Sequence, residues 1–230
     1  MPISDLLRDG DLTVLGRMPF SSNATFLVEV GADDRTARAI YKPSKGEQPL
    51  WDFPSGLYQR EVAAHLLSEQ LGWRVVPPTV LREGPLGIGS LQLFIDADVE
   101  QHYFTLLEDP TLHAQLRRMC VFDLLANSTD RKGGHILVDA DRHLWGIDNG
   151  LSFHQEFKLR TVIWDFAGEQ MPADDLADVA RLLDGGISDD LAGFLDRFEL
   201  DAVLTRARAL VSERVFPTDP TGRRWPWPVI

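Results

Sequence analysis

Cysteine is almost absent from this chain. Cys120 is the only one in 230 residues, which excludes an internal disulfide and any cysteine-built zinc cluster. Its apolar setting, MCVFDLL, points to a buried core thiol rather than a nucleophile, and a chain without disulfides suits a reducing, cytoplasmic compartment. Long hydrophobic runs are missing too. No stretch of about 18 apolar residues occurs, so no membrane-spanning helix is expected. The start, MPISDLLRDG, has acids where a secretory signal carries a basic and then an apolar stretch. Positive charge is in the minority: Lys plus Arg number 23 against 35 Asp plus Glu, a formal charge of −12. That excess repels nucleic acid and anionic lipid surfaces, leaving room for a local basic site but not a broad one. What the chain does have is 44% hydrophobic residues, enough to bury a core in one bilobal domain or two small ones.

The first half reads as strands and turns. Leu12 to Gly16 and Thr25 to Val30 carry apolar and β-branched residues bounded by SSN and GADD, and a third strand, Arg38 to Tyr41, stops before Pro43. This spacing predicts an antiparallel meander. The stretch KPSKGEQPLWDFPSG is too rich in Pro and Gly for regular structure; within it, Trp51 and Phe53 are expected to pack into the core. LYQREVAAHLLSEQLG then predicts an amphipathic helix stopped by Gly72. Two further strands, Val75 to Leu81 and Ser90 to Ile95, follow around the turn-rich REGPLGIG. Beyond a connector near Phe94 to Asp98, helical periodicity takes over in Thr111 to Ala126, Asp174 to Leu183, Asp189 to Phe198 and Asp201 to Arg214. A hairpin, HILV and LWGID around DADRH, interrupts it, and the proline-rich tail FPTDPTGRRWPWPVI is expected to wrap the surface without helix.

The chemistry concentrates in NSTDRKGGHILVDADRHLWGIDNGLSF. Asp130 and Asp148 flank the hairpin, which brings them to one mouth, and two carboxylates so placed suit a base and a metal ligand. Alone, each also reads as an ordinary loop acid. Before them come Lys42, at the end of the third strand, and Glu61, in the following helix. Phosphoryl transfer needs a cation on the nucleotide phosphates, a carboxylate holding that cation, a metal ligand and a base. Protein kinases supply these in the order strand Lys, helix Glu, loop Asp, hairpin, then Asp before Gly. The same order is present here. Taken singly, Lys42 is an ordinary strand-end lysine and Glu61 a helix-surface acid; the ordered set is the signal. Between the first two strands, Gly16 to Thr25 lies where kinases cover the phosphates, lacks their glycines, and offers Ser21, Ser22 and Asn23 to phosphate oxygens. Gln92 to Ile95, including Phe94, takes the place of a hinge whose backbone reads adenine. No Walker A or dinucleotide fingerprint occurs.

These residues resemble a family. Ile40-Tyr41-Lys42-Pro43-Ser44-Lys45-Gly46-Glu47, Arg60-Glu61-Val62-Ala63-Ala64 and Val76-Pro77-Pro78-Thr79 are similar to the nucleotide lobe of the phosphoinositide 3-/4-kinase superfamily, particularly type II phosphatidylinositol 4-kinases. Asp130-Arg131-Lys132-Gly133-Gly134-His135 resembles that superfamily's Asp-Arg-His-x-x-Asn catalytic loop, and Ile147-Asp148-Asn149-Gly150 its Asp-Phe-Gly element. As a whole, through SNATFLV, GEQPLWDFP and DRKGGH, the chain looks like the small actinobacterial phosphatidylinositol-kinase-like (SCO-type) proteins. The resemblance implies an α+β, bilobal protein-kinase-like fold, with a nucleotide lobe over residues 1–92 and a mainly helical catalytic lobe over 93–230. It also implies ATP with Mn²⁺ or Mg²⁺. Lys42 would contact the α/β phosphates, Glu61 would pair with it, Asp130 would orient or deprotonate the acceptor hydroxyl, and Asp148 would hold the metal.

Two departures matter. Lys132 replaces the lipid kinases' histidine, and His135 stands where kinases place the asparagine that holds a second metal, which favours Mn²⁺ if the imidazole is a ligand. Asn127, three residues before Asp130, is a candidate for the lost amide. The expected activity is ATP-dependent transfer to a hydroxyl, with a protein Ser/Thr acceptor or the chain itself, on Ser21, Ser22 or Thr25. Superfamily members of the HipA toxin type act on proteins, and the charge of −12 and a segment after Asp148 holding only Lys158 and Arg160 as cations speak against an inositol lipid. A phosphatidylinositol kinase, a non-catalytic nucleotide-binding pseudokinase and an AMP transferase are the alternatives.

Overall fold

The structure is a computed structural model, and it describes residues 1–19 and 23–230. A five-stranded antiparallel sheet forms one layer, from β1 (Asp11–Arg17), β2 (Phe26–Ala32), β3 (Arg35–Pro43), β4 (Thr79–Gly84) and β5 (Gly87–Leu93), in the order β1-β2-β3-β5-β4. β2 shows why it forms: Val28 and Val30 point into the core while Glu29 between them faces water. A helix that the sequence pattern did not announce, α1 (Ile3–Asp9), packs Leu6 and Leu7 against Val28, Val30, Ala39, Tyr41, Val80 and Leu91. β1 remains largely exposed at the sheet edge. α2 (Leu57–Gln70) lies against β4 and β5. Its amino end rests on Gly56, in the left-handed region at φ 90°, and on the Glu47 carboxylate, which accepts from the Gly56 and Tyr58 N–H groups.

The second lobe contains α3 (Tyr103–Leu106), α4 (His113–Ala126), the hairpin β6 (Ile136–Val138) with β7 (Leu144–Gly146), α5 (Ala173–Gly185), α6 (Asp189–Ala192) and α7 (Arg197–Glu213). α4 is its centre: from Met119 to Ala126 every residue is buried. Cys120 is among them, its thiol pushed up by burial and placed 3.5 Å from the Ile163 carbonyl. That is the core thiol expected. α2 joins this lobe through Ala63, Ala64 and Leu67, and through a buried ion pair between Arg60 and Glu199 of α7.

Some expectations need correction. The strand expected at Val75 begins only at Thr79, because Pro77 and Pro78 have no N–H for a ladder, and the N–H groups of Val75 and Val76 donate to Ser68 Oγ instead. REGPLGIG is mostly strand, with Gly84 paired to Gly87 around a two-residue turn. The helix expected over Asp189 to Phe198 breaks after Ala192, and Asp196 caps the next helix. Asp196 accepts from the Phe198 and Glu199 N–H groups while Glu199 accepts from the Asp196 N–H. Phe53 is buried as expected, but Trp51 is 96% exposed. The sheet plus helical lobe is an α+β, kinase-like fold, and among the described residues no helix is long and apolar enough to cross a membrane.

Candidate active site

Four of the residues singled out above meet between the lobes. Lys42, one residue from the end of β3, contacts the Glu61 carboxylate of α2 and donates to Asp148 Oδ1 at 2.8 Å. Glu61 is also held from its other side, since its second oxygen accepts from the Asn149 N–H at 3.0 Å. Burial pulls the Lys42 ammonium down, but the carboxylates of Asp148 and Glu61 outweigh it and hold the pKa above the usual lysine value. Lys42 in turn holds Asp148 well below the usual carboxylate range, against the opposing effect of burial. Asp148 stays ionised and more than half exposed, with φ at 58°, in the left-handed region. Gly150 follows for a reason of space: a Cβ there would lie 3.3 Å from Leu57 Cβ and 3.4 Å from Glu61 Oε1.

Asp130 sits across the same cavity. Burial raises its pKa and Asp148 adds to the rise, while Lys132, with Nζ 3.3 Å from Oδ2, opposes it. A carboxylate tuned upward beside a lysine is suited to proton transfer. His135 turns Nε2 to 3.5 Å from Asp148 Oδ2. Burial lowers the imidazole pKa to about 4, so the ring is neutral at pH 7. Its Nδ1 accepts from the Lys132 N–H at 3.4 Å, which leaves the proton on Nε2, facing Asp148. Ligation through Nε2 would require that proton to move to Nδ1.

Two residues that sequence reasoning quoted but assigned no role hold this arrangement. Arg131 is fully buried: Nε donates to both Asp123 oxygens at 3.0 and 3.2 Å, Nη1 to the Ile147 carbonyl at 2.7 Å, and Nη2 to Asn149 Oδ1 at 2.7 Å. It thereby ties α4, the Asp130 loop and the turn carrying Asp148 into one unit. Asn149, where the kinase pattern has phenylalanine, completes the tie by donating to the Gly146 carbonyl. The only sequence signal for either was an arginine and an amide, each next to a candidate acid. Asn127 is not the replacement for the missing asparagine. Its Nδ2 donates to the carbonyls of His154 and Glu156, its Oδ1 accepts from the Lys158 N–H, and it is fully buried, so its amide is spent on the loop beyond Asp148.

Two adjoining cavities share Lys42, Thr25, His135 and Asp148. One, about 320 Å³, runs under the sheet to Ile40, Gln92, Phe94 and Ile95. The other, about 390 Å³, contains Asn23, Glu61, Asp130 and Lys132. Gln92 lines the first, but its amide donates to Thr79 Oγ1. The hinge N–H groups of Leu93 and Phe94 donate to Pro78 and Arg38 within the sheet, so they do not face a base as expected; Ile95 is the hinge residue left to do so. Asn23 lines the second cavity while its Oδ1 accepts from the Gln48 N–H. Ser21 and Ser22 lie outside the described residues, and Thr25 is buried in the wall.

The donor set suits a hard metal that arrives with its nucleotide. Among the described residues no group of three or more His, Cys, Asp or Glu side chains is arranged as a metal site, and Asp148 supplies one carboxylate beside open space. Ions such as Mg²⁺ bind through one or two carboxylates and complete their shell with phosphate oxygens and water.

Solved kinase structures share this architecture. The chain superposes on the Golgi casein kinase with Mn/ADP bound at a TM-score of 0.62, with 13% identity, over 95% of this chain and 79% of that one. It matches hydra Fam20 at 0.61, with 10% identity, over 95% and 92%, and the Helicobacter pylori proinflammatory kinase CtkA at 0.54, with 12% identity, over 91% and 94%. No family model matches the chain. Protein Rv2133c of Mycobacterium tuberculosis is 42% identical over 262 aligned positions, which span 97% of this chain and 94% of that protein. At that identity and coverage, the chain belongs to the same family as Rv2133c, built on a kinase-like fold.

Proposed function

We propose that the protein is an atypical ATP-dependent kinase that transfers the γ-phosphate to a hydroxyl, with residues 1–92 as nucleotide lobe and 93–230 as catalytic lobe. The observation that carries this reading is the convergence of Lys42, Glu61, Asp130 and Asp148 around two joined cavities. ATP is placed with adenine toward Gln92, Phe94 and Ile95 and its phosphates at Lys42, with Ser21, Ser22 and Asn23 as candidate donors to the phosphate oxygens. A bound Mn²⁺ or Mg²⁺, held by Asp148 and with His135 as a second candidate ligand, would neutralise phosphate charge. Asp130 orients the acceptor hydroxyl and takes its proton as the oxygen–phosphorus bond forms and the bond to the β-phosphate oxygen breaks. Lys132, 3.3 Å from Asp130, is placed to offset the charge developing on the transferred group. The likeness to the Golgi casein kinase and CtkA supports this placement through the fold.

A protein Ser/Thr acceptor is favoured over an inositol lipid by the charge of −12. The same reading includes autophosphorylation in the 20–25 loop. Buried Thr25 is the poorest acceptor there, which leaves Ser21 and Ser22. Cytoplasmic residence and the narrower placement among phosphatidylinositol-kinase-like proteins belong to this proposal as well. The test is incubation with γ-labelled and, separately, α-labelled ATP and Mn²⁺, followed by peptide mass mapping. Label from the γ position on serine is expected; α-label would make the protein an AMP transferase, and no label a binding module.

A further inference from the structure

Beside the Asp130 loop lies a third cavity of about 470 Å³, lined by Lys158, Arg160, Arg223 and Arg224 with the aromatic rings of Trp51 and Phe157. Its composition runs against that of the molecule. In a chain with 35 acids and 23 basic residues, four cations meet here with two acids, Asp52 and Glu156. Those acids neutralise little: Lys158 donates to the Asp52 backbone carbonyl, and Glu156 stands 4.0 Å from Lys158. Among the described residues, Arg160, Arg223 and Arg224 form no ion pair. Nearby Asp219 spends its carboxylate on Thr221 and on the Arg224 backbone N–H. The Arg224 guanidinium stacks 4.9 Å over the Phe157 ring, which fixes its plane. Arg160 lies on the segment that pairs with the Asp130 loop, its carbonyl accepting from the Arg131 N–H at 3.0 Å and its own N–H donating to the Ser128 carbonyl at 2.9 Å.

Guanidinium groups without carboxylate partners are donors in a fork geometry that matches oxyanions, and exposed rings beside them provide apolar contact at low entropic cost. Exposed Trp51 and Phe157 rings among the cations suit the side chains of an extended segment, and four cations within a net charge of −12 attract locally without drawing the whole molecule to anionic lipid. We propose that this cavity docks the acceptor: it binds a protein segment carrying an oxyanionic side chain, phosphorylated or carboxylate, and so delivers a nearby hydroxyl to Asp130. The proposal rests on the kinase reading for the delivery, whereas docking itself requires no chemistry.

The experiment separates the two. Three fluorescein-labelled serine peptides, one with flanking glutamates, one with flanking phosphoserine and one with flanking glutamines, are titrated by anisotropy without ATP against the full chain and the variants Arg223→Glu, at an exposed position, and Arg224→Glu, at a half-buried one. Thermal melting confirms that the variants fold. The two anionic peptides should bind about tenfold or more tightly than the neutral one, the scale of a single charge-assisted hydrogen bond. Charge reversal should erase that preference and improve binding of a lysine-flanked peptide. The preference should also weaken with added salt. Equal affinity for anionic and neutral peptides would overturn the proposal, as would Arg223-dependent binding to phosphatidylserine vesicles with no peptide preference. Selective peptide binding without label transfer from ATP would instead sink the kinase reading and leave the docking site standing.

Discussion

At the scale of single residues, the candidate site is a balance of charge. Lys42 is shared between two carboxylates, and only Asp148 is open enough to turn toward a metal; Glu61 is pinned by the Asn149 N–H. Asp148→Asn should therefore abolish metal-dependent nucleotide binding while the protein still melts cooperatively, checked by calorimetric titration of ATP with and without Mn²⁺. Asp130→Asn should leave ATP affinity nearly intact and reduce turnover about 100-fold or more, the usual size of a general-base contribution, measured as a split between kcat and KM. Equal loss in both would make Asp130 structural. His135 gives a separate test. Its Nε2 proton faces Asp148, and ligation requires the other tautomer, so His135→Asn should shift the preference from Mn²⁺ toward Mg²⁺ if the imidazole binds. Unchanged titrations with both metals would leave it as a hydrogen-bonding residue. Lys42, Glu61, Asp130 and Asp148 were legible because their order along the chain is itself a signal. Arg131 was not, because its importance lies in three partners, Asp123, Ile147 and Asn149, that only folding assembles.

At the scale of elements, the tie made by Arg131 should be among the most costly to cut. Replacing Arg131 with Met leaves the Asp123 carboxylate buried with only the Thr161 hydroxyl, and breaking a buried pair from one side costs about 3–5 kcal/mol. Denaturant unfolding should show that loss, and the doubly apolar variant Asp123→Leu with Arg131→Met should recover much of it. α2 makes a pH prediction. His65 on this helix is buried, and burial lowers its pKa below 6.5, opposed in part by Glu69 and by the Val76 backbone. The unfolded chain then binds a proton that the folded chain resists, so stability falls as pH drops below about 6.5. His65→Leu should flatten that decline in melting temperature between about pH 7 and pH 5; an unchanged profile would assign the sensitivity elsewhere. Strands with alternating burial, such as β2, were readable from period alone. α1 was not, because a seven-residue helix carries too few apolar positions to show its period. The boundary between α6 and α7 was misplaced, α6 ending at Ala192 and α7 starting at Arg197, because the apolar spacing continues across Gly193 where the helix breaks.

At the scale of the whole molecule, nucleotide binding and stability are one measurement. The two lobes are joined by Arg60 with Glu199, by the Lys42 bridge to Asp148, and by α2 packing into the helical core. The fold class was legible because a run of strands followed by a run of helices leaves few ways to bury both, but the placement of α2 across the two lobes was not, since its buried residues lie almost all round. A ligand held between joined lobes stabilises both. At a concentration 100 times its Kd, ATP with Mn²⁺ should add about 2.7 kcal/mol. For a chain of this length each kcal/mol raises Tm by about 2–4 °C, so the expected increase is about 5–10 °C in a single transition. Mn²⁺ alone should give little of this, because Asp148 and at most His135 offer it too few donors without phosphate oxygens. Asp148→Asn should remove the metal-dependent part of the shift and Lys42→Met most of the remainder. A full shift from Mn²⁺ without nucleotide, or the same ATP shift in Asp148→Asn, would place the metal or the phosphates outside the cleft between β3 and the Asp148 turn.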